Sequence, residues 1–322
     1  MTFRFVSRKV LGSLATLLFV VCFNFFLFRV VESDPVSALF RGRNISQQQR
    51  QQLQHDFGLD KSKPEQFVRY LNQTAHLNFG FSFETRQPVT SEISARIGRT
   101  ITLVGISTLL STTIGIWLGI IAAWRRNTPT DYVVTSTTMA FYAMPDFWLG
   151  LLLLAAFAES FRWFPTGGIV NVGSGATGLS HLVDEAKHLF LPGLTLTLAY
   201  LGEYTLIMRS SLLDTMGEDY LTLARAKGLR DATVRRRHAV PNALLPIVTL
   251  AAVNFGFVLS GAIAVESIYS WPGLGLATYN AIRAPDLPML QGLFLLFSAA
   301  VIVANLAVDL LYAYLDPRVR TA

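Results

Sequence analysis

Basic and small side chains are concentrated in one polar segment of the chain, Asp214 to Pro246. Its basic residues are Arg225, Lys227, Arg230, Arg235, Arg236 and Arg237. Such side chains pair with acidic protein groups or lipid phosphates through charge-assisted hydrogen bonds. A small-residue ridge of Ala224 and Ala226 beside Gly228 would let a partner backbone approach closely. The segment therefore has the chemistry of a docking surface, and an ordinary basic loop beside a membrane is the alternative.

The residue order in this segment predicts two short helices. The first runs from about Gly217 to Lys227 and is closed by Gly228, because glycine readily takes the left-handed conformation at a helix end. The second runs from about Asp231 to Ala239, with Asp231 as its N-cap. Two prolines follow and mark the return to an apolar stretch. A pair of helices around a glycine is a shape suited to docking.

Motifs for nucleotide binding and metal catalysis are absent from the sequence. No G-x-x-x-x-G-K-[ST] occurs, so the chain has no P-loop for ATP phosphates. A G-x-G-x-x-G match at Gly173, Gly175 and Gly178 follows no predicted strand, which argues against a dinucleotide site. The five histidines form no H-E-x-x-H and fall in loops or near span ends. We therefore expect no metal, no cofactor and no intramembrane protease in this chain.

Several polar residues lie inside long apolar stretches, where they are costly and should face the bundle interior, water or a helix end. Helical spacing places Tyr200 and Glu203 on one face, and Asn254 and Gly261 on another. The candidates to line a path through the bundle are Asp146, Tyr200, Glu203, Asn254, Gly261 and Glu266. Interhelical hydrogen bonding is the alternative role for Glu203 and Asn254, and a structural role is expected for Asp309.

The composition indicates a helical membrane protein, since 52% of the 322 residues are hydrophobic and 15% are charged. A spanning helix needs roughly 20 apolar residues. Six stretches qualify: Val10 to Val31, Thr100 to Trp124, Tyr132 to Ser160, Leu189 to Leu213, Pro246 to Tyr269 and Met289 to Leu315. Pro145 predicts a kink or break in the third. Gly115 and Gly119 form a GxxxG step that predicts close helix packing in the second.

The distribution of Lys and Arg predicts the orientation of these spans. The basic N-terminus, the loop after the second span, the docking segment and the tail are assigned to the cytoplasm. Basic loops also account for the net charge of +6, so no nucleic-acid partner is expected. The chain then comprises an N-terminal segment with the first span (1–31), an extracytoplasmic segment (32–99), a five-helix core (100–315) containing the loop 214–246, and a cytoplasmic tail (316–322).

Ordered motifs along nearly the whole chain resemble one family of membrane proteins. ARAKGL, from Ala224, followed by HAVPNALLP resembles the EAA loop of ABC importer permeases, although Ala224 stands where the general pattern begins with Glu. Other segments resemble the B-type permease subunit of dipeptide and oligopeptide importers. They are ESDPVSAL, FGLDK, NFGFSFETRQPV, ESIYSWPGLG and NLAVDLLYAYLDPRVR.

This resemblance implies an all-α integral membrane protein of the bacterial plasma membrane, with six transmembrane helices in the type I (MetI-like) ABC importer permease architecture and with cytoplasmic termini. Similar permeases pair with a second homologous permease and receive peptide from an extracytoplasmic binding protein. In similar importers, two cytoplasmic ATPase subunits bind ATP and Mg. The resemblance assigns coupling to these ATPases to Gly217, Tyr220, Ala224, Ala226, Lys227, Gly228 and Leu229.

An ion-coupled secondary transporter or channel is the alternative function. Its in-span carboxylates would act as a proton or ion relay, but the docking segment would have no role. The sequence leaves open which substrate is carried, and whether the chain pairs with itself or with a different permease. The B-type resemblance favours a heterodimer.

Overall fold

The computed structural model describes residues 3–31, 60–171, 177–257 and 262–315, with the isolated residues Gln48, Gly173 and Gly175. These ranges are mostly helical, and their one β-bridge joins Phe81 and Pro88. The chain divides into two compact units, Met1–Arg99 with Gly273–Ala322, and Thr100–Pro272.

Thirteen α-helices have their bounds within these ranges. In chain order they are α1 (Phe3–Phe25), α2 (Lys63–Ala75), α3 (Val89–Trp124), α4 (Pro129–Ala143), α5 (Asp146–Leu153), α6 (Leu179–Met216), α7 (Asp219–Ala226), α8 (Asp231–Val234), α9 (Val240–Ala243), α10 (Leu245–Phe257), α11 (Ile263–Ile268), α12 (Leu274–Arg283) and α13 (Leu287–Leu315). Helices α1, α5 and α8 continue as π-helical turns over Phe26–Val31, Leu154–Ser160 and Arg235–Ala239.

Three helical stretches are long and apolar enough to cross a bilayer: Arg4–Val30, Val89–Trp124 and Leu287–Leu310. The pair α4 and α5 forms a fourth candidate, bent by 101° at the break between them. Pro145 lies in that break, so the predicted interruption is confirmed; proline has no N–H for the helical ladder.

The fourth and fifth predicted spans lie on helices that are not among these candidates. The fourth lies within α6, which has 38 residues and contains Pro192. The fifth is divided between α10 and α11, and the residues between those helices include 258–261, outside the described ranges. Length and hydropathy therefore support three or four spans in the described part of the chain, against six from the sequence pattern.

In the unit formed by the two ends of the chain, α1 packs along α13 and α2 packs on α1. Asn24 is buried at this junction, where its amide donates to the Gln291 carbonyl at 3.2 Å. The Tyr70 hydroxyl of α2 donates to Asn24 Oδ1, also at 3.2 Å. Burial raises the pKa of Tyr70 to about 12, because removal from water disfavours the phenolate.

The start of α13 in the same unit is held by Asp286, which is buried. Its Oδ1 accepts from the Met289 backbone N–H at 3.2 Å, the bond expected of an N-cap residue, and its Oδ2 accepts from the Ser82 hydroxyl. One turn further on, a Cβ added at Gly292 would lie 2.7 Å from Val89 Cγ1. A glycine is therefore required where α13 meets α3.

In the unit Thr100–Pro272, α3 and α6 pack in close contact. A Cβ added at Gly115 would lie 2.5 Å from Tyr204 Cβ, and one added at Gly119 would lie 2.6 Å from Met208 Cβ. Real Cβ atoms do not approach so closely, so the predicted GxxxG packing is confirmed. Gly202 allows the same close approach between α6 and α4.

An ion pair between a half-buried arginine and a buried carboxylate joins α4 to α6 in this unit. Arg209 Nε and Nη2 donate to the two carboxylate oxygens of Asp131, each at 2.7 Å. Asp131 is only 2% exposed, and its Oδ2 also accepts from the Asn127 backbone N–H at 3.0 Å. The two parallel hydrogen bonds fix the distance and the orientation of the two helices at this point.

Candidate functional site

The docking loop, residues 214–246, begins where α6 ends. Gly217 follows the last residue of α6, and its N–H donates to the Asp214 carbonyl at 3.1 Å. Glu218 is extended, which redirects the chain so that α7 starts as a separate helix at Asp219. The helix predicted from Gly217 to Lys227 is present, with its ends at Asp219 and Ala226.

Helix α7 has one buried and one exposed face. Leu221 and Ala224, three residues apart, lie in a buried cluster that also contains residues of α3 and α6, and Ala224 is 7% exposed. Tyr220 and Leu223 point outward, and Leu223 is 56% exposed. Ala226 is exposed, so the predicted ridge of Ala224 and Ala226 is wrong, because residues two apart on a helix do not share a face.

A glycine turn ends α7. Gly228 has φ +78°, and its N–H donates to the Arg225 carbonyl at 2.9 Å. The Leu229 N–H reaches back to the Ala224 carbonyl at 3.4 Å, which completes the two-bond pattern of a Schellman C-cap. Nothing lies within 4 Å of a Cβ added at Gly228. Glycine is therefore needed for its backbone conformation and not for space, and the predicted left-handed closure is confirmed.

The docking loop has two arms: the first is α7, and the second is the helical stretch from Asp231 to Ala239. The second arm has the predicted bounds, but Asp231 is not its N-cap. Arg230 occupies that position, with no side-chain cap bond. The Asp231 carboxylate instead accepts from Trp124 Nε1 at 2.7 Å, and its Oδ1 lies 3.9 Å from Arg225 Nε. The Arg235 guanidinium carbon lies 5.6 Å from the centre of the Trp124 ring.

Two further contacts hold the arms of the loop together. Asn242 Nδ2 donates to the Tyr220 hydroxyl at 3.0 Å and to the His238 carbonyl at 2.7 Å. Ser211 Oγ donates to the Ala243 carbonyl at 2.9 Å, which ties the end of α6 to α9. No sequence pattern pointed to Asn242, Ser211 or Trp124, because local sequence does not show which distant segment a polar side chain will meet.

The outward surface of the docking loop is apolar and basic. Its exposed apolar side chains are Tyr220, Leu223 and Leu229, and its exposed basic ones include Arg225, Lys227, Arg230, Arg236 and Arg237. Apolar side chains at the centre of a contact supply buried area, and surrounding arginines pair with carboxylates. The surface can therefore bind a protein cleft that has an apolar floor and acidic edges.

The in-span polar candidates are partly brought together. Asn254 Nδ2 of α10 donates to the Tyr204 hydroxyl at 3.0 Å and lies 3.4 Å from Glu203 Oε2 on α6. Tyr200 is half-buried, within electrostatic range of the carboxylates of Asp146 and Glu203. The interhelical hydrogen bond proposed as the alternative role of Asn254 is therefore present, and Tyr200, Glu203 and Asp146 form a polar cluster near it.

The remaining candidates are placed differently. Glu266 is wholly buried, and its Oε1 accepts from the Thr100 hydroxyl at 2.9 Å, so it bonds α11 to α3 and lines no open surface. Gly261 lies outside the described residues. In the other unit, Asp309 pairs with Lys9 at 2.9 Å, in keeping with the structural role expected of it.

Apolar spans, in-span polar groups and a braced loop with an exposed apolar and basic surface together define a multi-pass helical membrane protein. The family model "Binding-protein-dependent transport system inner membrane component" matches residues 115–321. The model for the N-terminal region of such membrane components matches residues 2–104. The chain belongs to this family of inner membrane components of binding-protein-dependent transport systems.

Curated relatives extend over nearly the whole chain. A putative peptide permease of Brucella ovis is 35% identical over 319 residues, which cover 98% of this chain and 99% of the relative. The oligopeptide transport system permease protein AppB of Bacillus subtilis is 32% identical, with 98% of each chain covered. The di/tripeptide transport system permease protein DppB of Pseudomonas aeruginosa is 34% identical, again with 98% of each covered. The chain is accordingly a permease subunit of an ABC importer, a non-catalytic component of the inner membrane.

Proposed function

We propose that the chain is the B-type permease subunit of a peptide importer. With a second homologous permease it forms the translocation path, and an extracytoplasmic binding protein delivers the peptide. Support for peptide as the cargo comes from the names of the relatives, which include peptide, oligopeptide and di/tripeptide permeases. Six transmembrane helices and cytoplasmic termini belong to the same proposal.

The observation that carries the proposal is the exposed apolar and basic face of α7, closed by the left-handed Gly228. A helix with exposed Tyr220 and Leu223 on a surface rich in arginine fits a cleft in a cytoplasmic ATPase subunit. The coupling residues are Gly217, Tyr220, Ala224, Ala226, Lys227, Gly228 and Leu229. Of these, Ala224 acts from the buried side, since its small side chain sets how closely α7 packs on the cluster shared with α3 and α6.

ATP and Mg bind to two partner ATPase subunits, and this chain carries no cofactor. ATP binding shifts the permease pair between inward-facing and outward-facing states only through contacts that differ between those states. A loop braced at both arms moves as one body when the ATPases close, and so acts as a lever on the spans.

The proposed translocation path runs along α5, α6 and α10, where Asp146, Tyr200, Glu203 and Asn254 lie. Gly261, outside the described residues, and Glu266 belong to the same proposed path; Glu266 is wholly buried and would join it only in another state of the transport cycle. During that cycle the hydrogen bond from Asn254 to Tyr204 forms in one state and breaks in the other.

The test is peptide uptake and peptide-stimulated ATP hydrolysis by the complete transporter in proteoliposomes, comparing the native chain with Gly228→Pro. Proline cannot take φ +78° and has no N–H for the Arg225 carbonyl, so the turn is lost while the spans are untouched. We expect the variant to insert and to pair with the second permease, but to lose both activities. Uptake by the native chain with no ATPase present would instead favour an ion-coupled secondary transporter or channel.

A further inference from the structure

Trp124 connects α3 to both arms of the docking loop. It is the last residue of α3, and its indole N–H donates to Asp231 Oδ2 at 2.7 Å at the start of the second arm. Its ring faces the Arg235 guanidinium further along that arm, at 5.6 Å. Through Asp231 the contact extends to Arg225 on the first arm, 3.9 Å away.

Because Trp124 lies at the end of α3, its contacts connect α3 directly to the docking loop. Helix α3 packs on α6 through Gly115 and Gly119, about one turn apart, whose missing side chains allow van der Waals contact at both positions. The docking loop is continuous with α6 at one end and is tied to it at the other by Ser211 and Ala243. Helix α3, in contrast, is separated from the loop by the 89 residues 125–213, so tertiary contacts join the two directly.

Asp231 and Arg235 engage Trp124 through different parts of its side chain. The indole N–H is a donor only, and a carboxylate is its strongest partner on the loop. The ring face attracts the guanidinium by its quadrupole. Phenylalanine would keep the second contact and remove the first, which makes the hydrogen bond separately testable.

We propose that Trp124 is a positioning residue that transmits movement of the docking loop to α3, so that ATPase closure moves α3 and α6 together. This inference rests on the proposed function of the loop. Without the indole hydrogen bond the loop follows the ATPases while α3 lags behind. ATP is then hydrolysed without a matching rearrangement of the path.

The experiment measures peptide accumulated per ATP hydrolysed by the complete transporter in proteoliposomes. Trp124→Phe is compared with Trp117→Phe, the same substitution about two turns earlier on α3 at a side chain that is 62% exposed. We expect Trp124→Phe to lower the ratio by roughly three- to tenfold while hydrolysis continues, the size of one ordinary hydrogen bond, because the Asp231 side chain is 62% exposed and water weakens the contact. Trp117→Phe should keep the native ratio.

Asp231→Ala removes the acceptor and provides the second measurement. If both residues act through one hydrogen bond, the double variant Trp124→Phe, Asp231→Ala has the same ratio as either single variant, because there is only one interaction to lose. An unchanged ratio in Trp124→Phe, or hydrolysis and uptake that fall in proportion, overturns the proposal and leaves Trp124 a structural brace. Failure of ATP-dependent uptake in the native complex would instead overturn the proposed function itself.

Discussion

Replacing Gly228 by alanine should loosen the docking loop by an amount that follows from backbone geometry alone. Gly228 has φ +78°, and nothing lies within 4 Å of an added Cβ, so no steric clash contributes. A non-glycine residue in the left-handed region costs roughly 1–2 kcal/mol. The alanine variant should therefore open the turn about 5- to 30-fold more often. Asparagine tolerates the left-handed region, so the turn in Gly228→Asn should open about as often as in the native protein.

Hydrogen exchange of the purified protein in detergent measures this opening. The Leu229 N–H donates to the Ala224 carbonyl at 3.4 Å and should exchange faster in Gly228→Ala by about the same 5- to 30-fold factor. Gly80→Ala is the matched control, since Gly80 has φ +79° and equally open surroundings but lies in the other unit. Equal exchange in the alanine and asparagine variants would refute the conformational reasoning, as would accelerated loop exchange in Gly80→Ala.

Three other substitutions test contacts within the unit Thr100–Pro272. Arg209→Met should lower the free energy of unfolding in mixed micelles by about 3 kcal/mol, because Asp131 stays buried without its partner; a loss below about 1 kcal/mol would show that water reaches the carboxylate. Gly119→Ala should destabilise by about 1–3 kcal/mol through its clash with α6, whereas Gly105→Ala, on the same helix in open space, should be neutral or slightly stabilising. Asn254→Leu should lower the free energy of unfolding by only about 0.6 kcal/mol yet lower peptide uptake about fivefold or more. If uptake stays at the native level, the Asn254 amide only joins two helices and takes no part in transport.

Some features of the chain could be read from residues close together in sequence. Gly228 predicted the end of α7 because glycine adopts a left-handed φ without strain, and Pro145 predicted the break between α4 and α5 because it cannot donate to the helical ladder. The step from Gly115 to Gly119 predicted close packing, since side chains four apart share a face. Each of these inferences depends only on the backbone within about one helical turn.

The tertiary structure decided which partners the polar side chains of the site acquire. Asp231 was predicted to cap its own helix, but it accepts from Trp124, which α3 brings to it from 107 residues away. Arg209 bonds to Asp131, 78 residues away in the chain, because α6 packs against α4. Helix positions along a chain follow from local preference and from the thickness of the bilayer. The choice of a hydrogen-bond partner depends on which helices pack together, and that packing depends on many distant residues at once.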